Sequence, residues 1–429
     1  MKNAVVFGAG AIGLAFLGDL LDRSGYATTF LDVRDDIVAA LSQRGGYDIR
    51  IVSRDQEHLR HIRNVRAINT ATFAVNPSVR EAVCRSLAEA DFIATAAGER
   101  ALTAIAPILA AGLARRLEIL RPGPISVMCC ENIADPAAIL RAGIERALPP
   151  ATWGVLAERL GIARSVISRM TPVITSLDHI VTEAYDEIPV EAAAWRGPAP
   201  DIVGLRLVDN FTAYKVRKLI MHNMTHATAA YLGYFLGKRD IGEAMQDARI
   251  AAVTRAAMRE AMDALLAEFD LPRAEQEAHA EDLLHRYGNP ALGHTVANVA
   301  RDPIRKLGPD DRLMTAVRLA ERHQLPHEVV LFSISLALNY DHPTDAEAQM
   351  LQRRLVAEGV KPVIQSVCGV QPDEPLCAAV ADAYTTTRAA IVAARAAGDT
   401  GPICALVDDL LRRKAAGGWQ AGQAGRGYP

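Results

Sequence analysis

The stretch Ala4-Val5-Val6-Phe7-Gly8-Ala9-Gly10-Ala11-Ile12-Gly13 decides the fold. Ala4 to Phe7 is an apolar run that reads as a buried strand, and Ala11 to Arg23 carries the spacing of a helix. The glycines between them stand as G-x-G-x-x-G, and the strand-to-helix context gives that motif its meaning. Gly8 allows the tight turn, Gly10 lets the backbone approach a diphosphate, and Gly13 lets helix and strand pack closely. With Ala9, Ala11 and Ile12 they form a candidate dinucleotide cradle at a helix N-terminus, where unpaired N–H groups favour an anion. A second strand, Ala27 to Leu31, leads to Asp32, about twenty residues beyond the glycines, where a carboxylate accepts from ribose hydroxyls and repels a 2′-phosphate. NAD is therefore the expected cofactor and NADP the less favoured one, although Arg34 suits a 2′-phosphate.

Outward from this turn, strand and helix patterns keep alternating. Tyr47 to Ser53, Asp91 to Ala96 and Pro124 to Cys130 read as strands, and Pro77 to Glu89 and Ala101 to Arg116 as helices. Repeated β-α-β order implies an α/β fold with a doubly wound, Rossmann-type sheet. Asp91 to Gly98 ends in small residues that leave room for a cofactor, which adds Gly98 to the cradle. After about Val190 the texture changes to long amphipathic helices: Ala213 to Leu236, Ile241 to Phe269, Ala274 to Tyr287, Pro309 to His323 and Pro326 to Asn339. The proline-rich stretch from Trp195 to Pro200 is the candidate boundary. The expected organisation is a dinucleotide-binding domain over residues 1–195, a mostly α-helical substrate and catalytic domain over 196–414, and a glycine-rich, disordered tail over 415–429.

Composition sets limits on function. A chain of 429 residues, half of them hydrophobic, is too long for one ordinary core. With 47 basic and 50 acidic residues, a net charge of −3 and 5% aromatic residues, it lacks the basic field and stacking platforms of a nucleic-acid binder. The six cysteines form no C-x-x-C pair, so neither a disulfide framework nor a cysteine metal site is expected. Glycines interrupt the apolar run Ala4 to Leu17, and Ala101 to Ala114 falls short of the roughly 20 residues that span a bilayer. A soluble cytoplasmic protein with a small-molecule substrate and no membrane partner is the expectation.

The chemistry concentrates in Lys218-Leu-Ile-Met-His222-Asn223-Met-Thr-His226. At about 100° per residue Lys218, His222 and His226 fall near 0°, 40° and 80°, with Asn223 near 140°, so one side of an otherwise apolar helix carries four polar groups. Each buried polar group costs a few kcal/mol unless paired, so such a face is either solvated or functional.

K-x4-N-x2-H on a helix after an N-terminal G-x-G-x-x-G resembles the polyol-specific long-chain dehydrogenases, the mannitol dehydrogenase family, and within it the mannitol-1-phosphate 5-dehydrogenases. The likeness runs from Met1 to about Tyr384 through Cys130-Glu131-Asn132, Asp209-Asn210, Arg286-Tyr287-Gly288-Asn289-Pro290, Arg301-Asp302-Pro303-Ile304-Arg305-Lys306-Leu307, Asp311-Arg312-Leu313 and Leu325-Pro326-His327. It implies zinc-independent hydride transfer with no metal site: Lys218 as general base, Asn223 and Asn132 as donors to the developing carbonyl oxygen, and His226 orienting substrate or lysine. A phosphorylated substrate calls for cations, for which Arg286, Arg305 and Lys306, with Asn289, are the candidates. The leading reaction is mannitol 1-phosphate to fructose 6-phosphate, in a monomer or weak homo-oligomer.

Four features depart from the family pattern: Ala11 and Leu14 replace polar residues of the glycine loop, Ser168 replaces an Asp ahead of Arg169-Met170-Thr171-Pro172, Gly293-His294 replaces a polar pair, and Ile220-Met221 alter the lysine helix. They motivate the alternative of an unphosphorylated polyol, a hexuronate or a modified sugar. A non-catalytic NAD-binding sensor is the least favoured reading.

Overall fold

The computed structural model describes residues 1–416 apart from 55, 120–122 and 134. The chain forms two compact units, Met1–Tyr214 and Lys215–Pro429.

The first unit contains β1 (Lys2–Phe7), β2 (Tyr26–Asp32), β3 (Tyr47–Val52), β4 (Glu57–Ile62), β5 (Val65–Asn69), β6 (Phe92–Thr95), β7 (Ile125–Cys129), β8 (Leu160–Arg164), β9 (Val181–Thr182), β10 (Ile188–Glu191) and β11 (Leu205–Val208). Six of them pair in parallel in the order β5-β2-β1-β6-β7-β8, a doubly wound sheet with β1 and β6 at its centre. Both faces are buried. Ala4 and Val6 belong to one apolar cluster while Val5 and Phe7 belong to another, as the two-residue period of a strand requires.

Tyr47–Val52 is a strand, as expected, but it lies outside the main sheet. It pairs with β4 and β9, and the edge position beside β2 goes to β5, whose short, half-polar sequence carries little strand signal. The division between units also falls later than residue 195. β11 pairs with β10, and that pairing keeps the segment after the proline-rich stretch in the first unit.

The Arg-x-x-Pro element has a structural task here. The fully buried Arg169 guanidinium donates to Asp19 at 2.9 Å, to Asp186 at 2.6 Å and to the carbonyls of Ala15 and Tyr185, and it lies 4.6 Å from the centre of the Phe16 ring. It therefore ties the first helix to the segment before β9. Arg169→Ala leaves the buried Asp19 to Arg60 and removes the charged hydrogen bonds to Asp19 and Asp186 together, and the expected cost in urea unfolding is about 1.5–3 kcal/mol.

The second unit is helical. Thr225–Phe235, buried along nearly its whole length, packs among Ala248–Glu268, Val296–Ala300 and Glu328–Asn339. Glu260 lies across the start of the last of these, accepting from the N–H groups of Val329 and Val330 at 3.0 and 2.9 Å, and also pairs with Lys414. The expected helix Ile241 to Phe269 is interrupted at Asp247, which caps Ala248–Glu268 by accepting from Arg249 N–H. Ala346–Glu358, Pro375–Ala397 and Gly401–Ala416 complete the unit. Of the expected tail, residues 415 and 416 belong to the last helix, and 417–429 lie outside the described residues. Among the described residues no helix is long and apolar enough to cross a membrane.

Candidate active site

In the first unit β1 delivers Gly8 to the carboxyl edge of the sheet at φ 98°, and a Cβ there would stand 2.6 Å from the Ala96 carbonyl oxygen. At Gly13 a Cβ would stand 1.9 Å from the Gly8 carbonyl oxygen, so helix and strand meet only because this residue has no side chain. Gly10 differs: a Cβ there would meet nothing within 4 Å, which leaves an open backbone face.

Asp32, at the end of β2, accepts from the N–H groups of Ala9 at 2.6 Å, Val33 at 2.8 Å and Arg34 at 3.0 Å. The Arg34 side chain folds back to donate to Asp32 at 3.2 Å and to the Ala9 carbonyl at 2.7 Å. Burial opposes ionisation of Asp32, but the Ala9 N–H and the Arg34 contacts outweigh it and hold its pKa below the ordinary value.

A cleft of about 940 Å³ opens here, lined by Gly8, Gly10, Asp32, Arg34, Phe73 and Ala97 among others. Ala11 and Ile12 pack partly against the core. Gly98, at φ 86°, precedes the helix Glu99–Glu118. An open glycine face, an ionised carboxylate and a cleft of this size fit a dinucleotide. Beside the cleft the buried Glu131 accepts from Thr95 Oγ1 at 2.7 Å and from Ala97 N–H at 3.1 Å, which joins the β6 loop to the loop that carries the exposed Asn132.

In the second unit the expected lysine helix is not uniform. Phe211–Arg217 and Thr225–Phe235 are α-helical, but Lys218–Met224 is a π turn. A π turn bonds i to i+5, so Lys218 and Asn223, five apart, belong to one backbone-bonded step; an α-helix would set them about 140° apart. Burial, with the Arg312 guanidinium as the second cause, pushes the Lys218 amine down to about 8.

The His226 ring stacks on Tyr287 at 4.7 Å and 6°, and the His294 ring lies 5.6 Å away. Burial, then His294 and Arg312, holds His226 well below the ordinary histidine pKa, and its Nε2 is buried with no protein hydrogen-bond partner. Burial, then Arg312 and Arg305, pushes Lys306 down to about 7, and its amine donates to the Arg301 carbonyl. Arg286 is buried and pairs with Asp282 at 3.1 Å. Asn289 is buried and caps a short turn by accepting from Ala291 N–H.

Residues 2–204 match the family model described as the mannitol dehydrogenase Rossmann domain, and residues 210–386 match the mannitol dehydrogenase C-terminal domain. The chain belongs to the mannitol dehydrogenase family. Membership makes it a polyol oxidoreductase. It is 35% identical over 385 residues to the mannitol-1-phosphate 5-dehydrogenase of Geobacillus thermodenitrificans, covering 89% of this chain and 98% of the relative. It is 36% identical over 382 residues to the enzyme of the same name from Arthrobacter sp., covering 88% and 96%. In fold it is similar to Pseudomonas fluorescens mannitol 2-dehydrogenase in complex with NAD and D-mannitol (TM-score 0.68, 17% identity, 96% of this chain and 94% of that one). It also matches a D-sorbitol dehydrogenase (TM-score 0.73, 15% identity, 90% and 93%).

In this member of the mannitol dehydrogenase family the second unit gathers Lys218, His226, Lys306 and Arg286 into one electrostatic neighbourhood. Arg305 is half exposed and paired with Asp302 and Asp311. Three neighbours were not anticipated as site residues. Arg312 opens the helix Arg312–Arg322, which packs on the π turn. Tyr287 and His294 stand against His226. Arg312 was visible in the Asp-Arg-Leu motif, Tyr287 in the Arg-Tyr-Gly-Asn-Pro motif and His294 as a departure, but the motif does not say that the Tyr287 ring stacks on His226. Leu14, another departure, is fully buried in the core.

Proposed function

We propose that the protein is an NAD-dependent dehydrogenase that interconverts a polyol phosphate and a sugar phosphate, with mannitol 1-phosphate and fructose 6-phosphate the leading pair and Lys218 the general base. The observation that carries the reading is a lysine amine pushed down to about 8 on a π turn that also holds Asn223, with His226 one turn on. The curated relatives, named mannitol-1-phosphate 5-dehydrogenases over most of their length, support the substrate class.

A dinucleotide held by Gly8, Gly10, Gly13 and Asp32 supplies the hydride acceptor when bound. Lys218, neutral above about pH 8, takes the proton from the substrate hydroxyl. Asn223 donates to the oxygen as it becomes a carbonyl, and the family likeness gives Asn132 the same task. His226, kept neutral by burial and its cationic neighbours, offers Nε2 to a substrate hydroxyl. Arg286 and Arg312 are the cations proposed for the phosphate, and Lys306, whose amine lies at about 7 in the free protein, joins them as a bound phosphate draws its proton on.

The test is a panel of polyols, polyol phosphates and hexuronates with NAD or NADP, followed by nicotinamide absorbance. Turnover confined to the phosphates supports the reading. Turnover confined to neutral polyols or uronates assigns the alternative substrates, and tight NAD binding with no turnover assigns the sensor. The burial of Leu14 weakens the case for the alternative substrates, because a core side chain cannot select among sugars.

The paired Asp32 and Arg34 give a second expected result. Asp32→Ala removes the carboxylate that repels a 2′-phosphate and frees Arg34 to meet one, so the NADP-to-NAD ratio of kcat/KM should rise about 10- to 100-fold, the effect of one charged hydrogen bond. The double variant Asp32→Ala with Arg34→Ala should lose that gain. An unchanged ratio in Asp32→Ala would remove Asp32 from cofactor selection.

A further inference from the structure

The backbone at the exit of the π turn is closed by two hydroxyl groups. Thr225 Oγ1 donates to the carbonyl of Met221, and Tyr287 Oη donates to the next carbonyl, that of His222, at 2.6 Å. The two hydroxyls are themselves 3.1 Å apart. Thr225 N–H goes to His222 O, three residues back, instead of continuing a regular i−4 ladder. The Met221 carbonyl, which loses the Thr225 N–H, is met by Thr225 Oγ1 instead, and the His222 carbonyl takes the Tyr287 hydroxyl as a second donor beside the Thr225 N–H. Tyr287 comes from the far end of the helix Arg273–Tyr287, so a remote element fixes the local geometry. The same side chain acts a second time, because its ring lies flat against His226 at 4.7 Å and 6°.

We propose that Tyr287 is a positioning residue: its hydroxyl holds the Lys218–Met224 π turn, and its ring fixes the His226 imidazole, so that lysine and histidine keep one mutual arrangement. Without the hydroxyl, the His222 carbonyl is drawn back toward an ordinary α-helical partner, and relaxation of the turn rotates Lys218 relative to His226. The importance of that register for turnover rests on the reading of Lys218 as the base. The structural claim does not.

The experiment uses the full chain carrying Tyr287→Phe or Tyr287→Leu. Tyr287→Phe keeps the ring and should fold with a thermal midpoint lowered by no more than a few degrees. It should lower kcat about tenfold, the effect of one hydrogen bond, with KM for NAD unchanged within about twofold. Tyr287→Leu also loses the stack and should lower kcat about 100-fold, the scale of a small misplacement. Independently of turnover, the Lys218 amine can be ¹³C-methylated, assigned by its absence in Lys218→Ala, and titrated by NMR. In Tyr287→Phe its pKa should move up by about one unit as the turn loosens and water reaches it.

Wild-type kcat and a wild-type Lys218 titration in Tyr287→Phe would overturn the hydroxyl's role. A Tyr287→Leu variant no slower than Tyr287→Phe would overturn the ring's. If the wild-type protein turns over no polyol or polyol phosphate, the functional reading fails, and the Lys218 titration still decides the positioning claim.

Discussion

Lys218→Ala is expected to lower kcat for polyol oxidation by about 10²- to 10⁴-fold while leaving NAD affinity within about twofold. The rate loss follows from removing the π-turn amine that burial and Arg312 push down to about 8. NAD affinity stays because every residue of the proposed cradle lies in the first unit. The same variant should gain stability near neutral pH. A folded pKa near 8 lies below the unfolded lysine value of about 10.4, so between these values the unfolded chain binds the extra proton, and stability rises with pH across that window. Below pH 8 the wild-type lysine is charged in both states and carries its full desolvation cost. Part of the residue's surface stays open, which puts that cost at about 1–3 kcal/mol. Urea unfolding at pH 7 should therefore show Lys218→Ala more stable than wild type, and the advantage should vanish by about pH 10.5. A slower enzyme with no gain in stability at pH 7 would separate catalysis from desolvation and remove burial as the cause of the low pKa.

Two neighbouring glycines should separate folding from cofactor binding. Gly13→Ala places a Cβ 1.9 Å from the Gly8 carbonyl oxygen, a backbone atom that cannot rotate away, so the first helix must shift from the sheet. The expected loss is about 1–3 kcal/mol of stability, as for other overpacked sites, together with about 100-fold or more in NAD affinity. Gly10→Ala introduces a Cβ that meets nothing within 4 Å in the protein. Its unfolding midpoint should stay at the wild-type value while NAD binding, followed by intrinsic fluorescence, still falls about tenfold or more, because the methyl group occupies the face the diphosphate needs. If Gly10→Ala binds NAD normally, the open face is not where the dinucleotide lies.

The cofactor half of the protein was legible because its constraints are local. Gly8 and Gly13 have separate steric reasons that follow from strand, turn and helix in immediate succession, and both have their counterpart in the structure, while Gly10 shows an open backbone face. The buried alternation of β1 and β2 was readable for the same cause. β5 escaped notice because an edge strand with Arg66 and Asn69 shows no continuous apolar run. The π turn escaped because helical patterning assumes a period of 3.6, under which Lys218 and Asn223 diverge. Their spacing of five carried the information, but only the backbone shows which ladder is used. Arg312 acts on the lysine, and Tyr287 on the His222 carbonyl and the His226 ring, from helices that begin more than fifty residues beyond Lys218 in the chain, and no local pattern reports such contacts.

The most direct measurement of the central claim, that Lys218 is the base, is the pH dependence of kcat/KM for polyol or polyol phosphate oxidation in wild type and Lys218→Ala. In wild type the rate should rise about tenfold per pH unit up to an apparent pKa near 8 and level off above it, because the amine must lose its proton before it can accept one. In Lys218→Ala that limb should disappear and return on addition of a small primary amine. A variant that keeps the wild-type limb and a near-normal rate would contradict the assignment of Lys218 as the base.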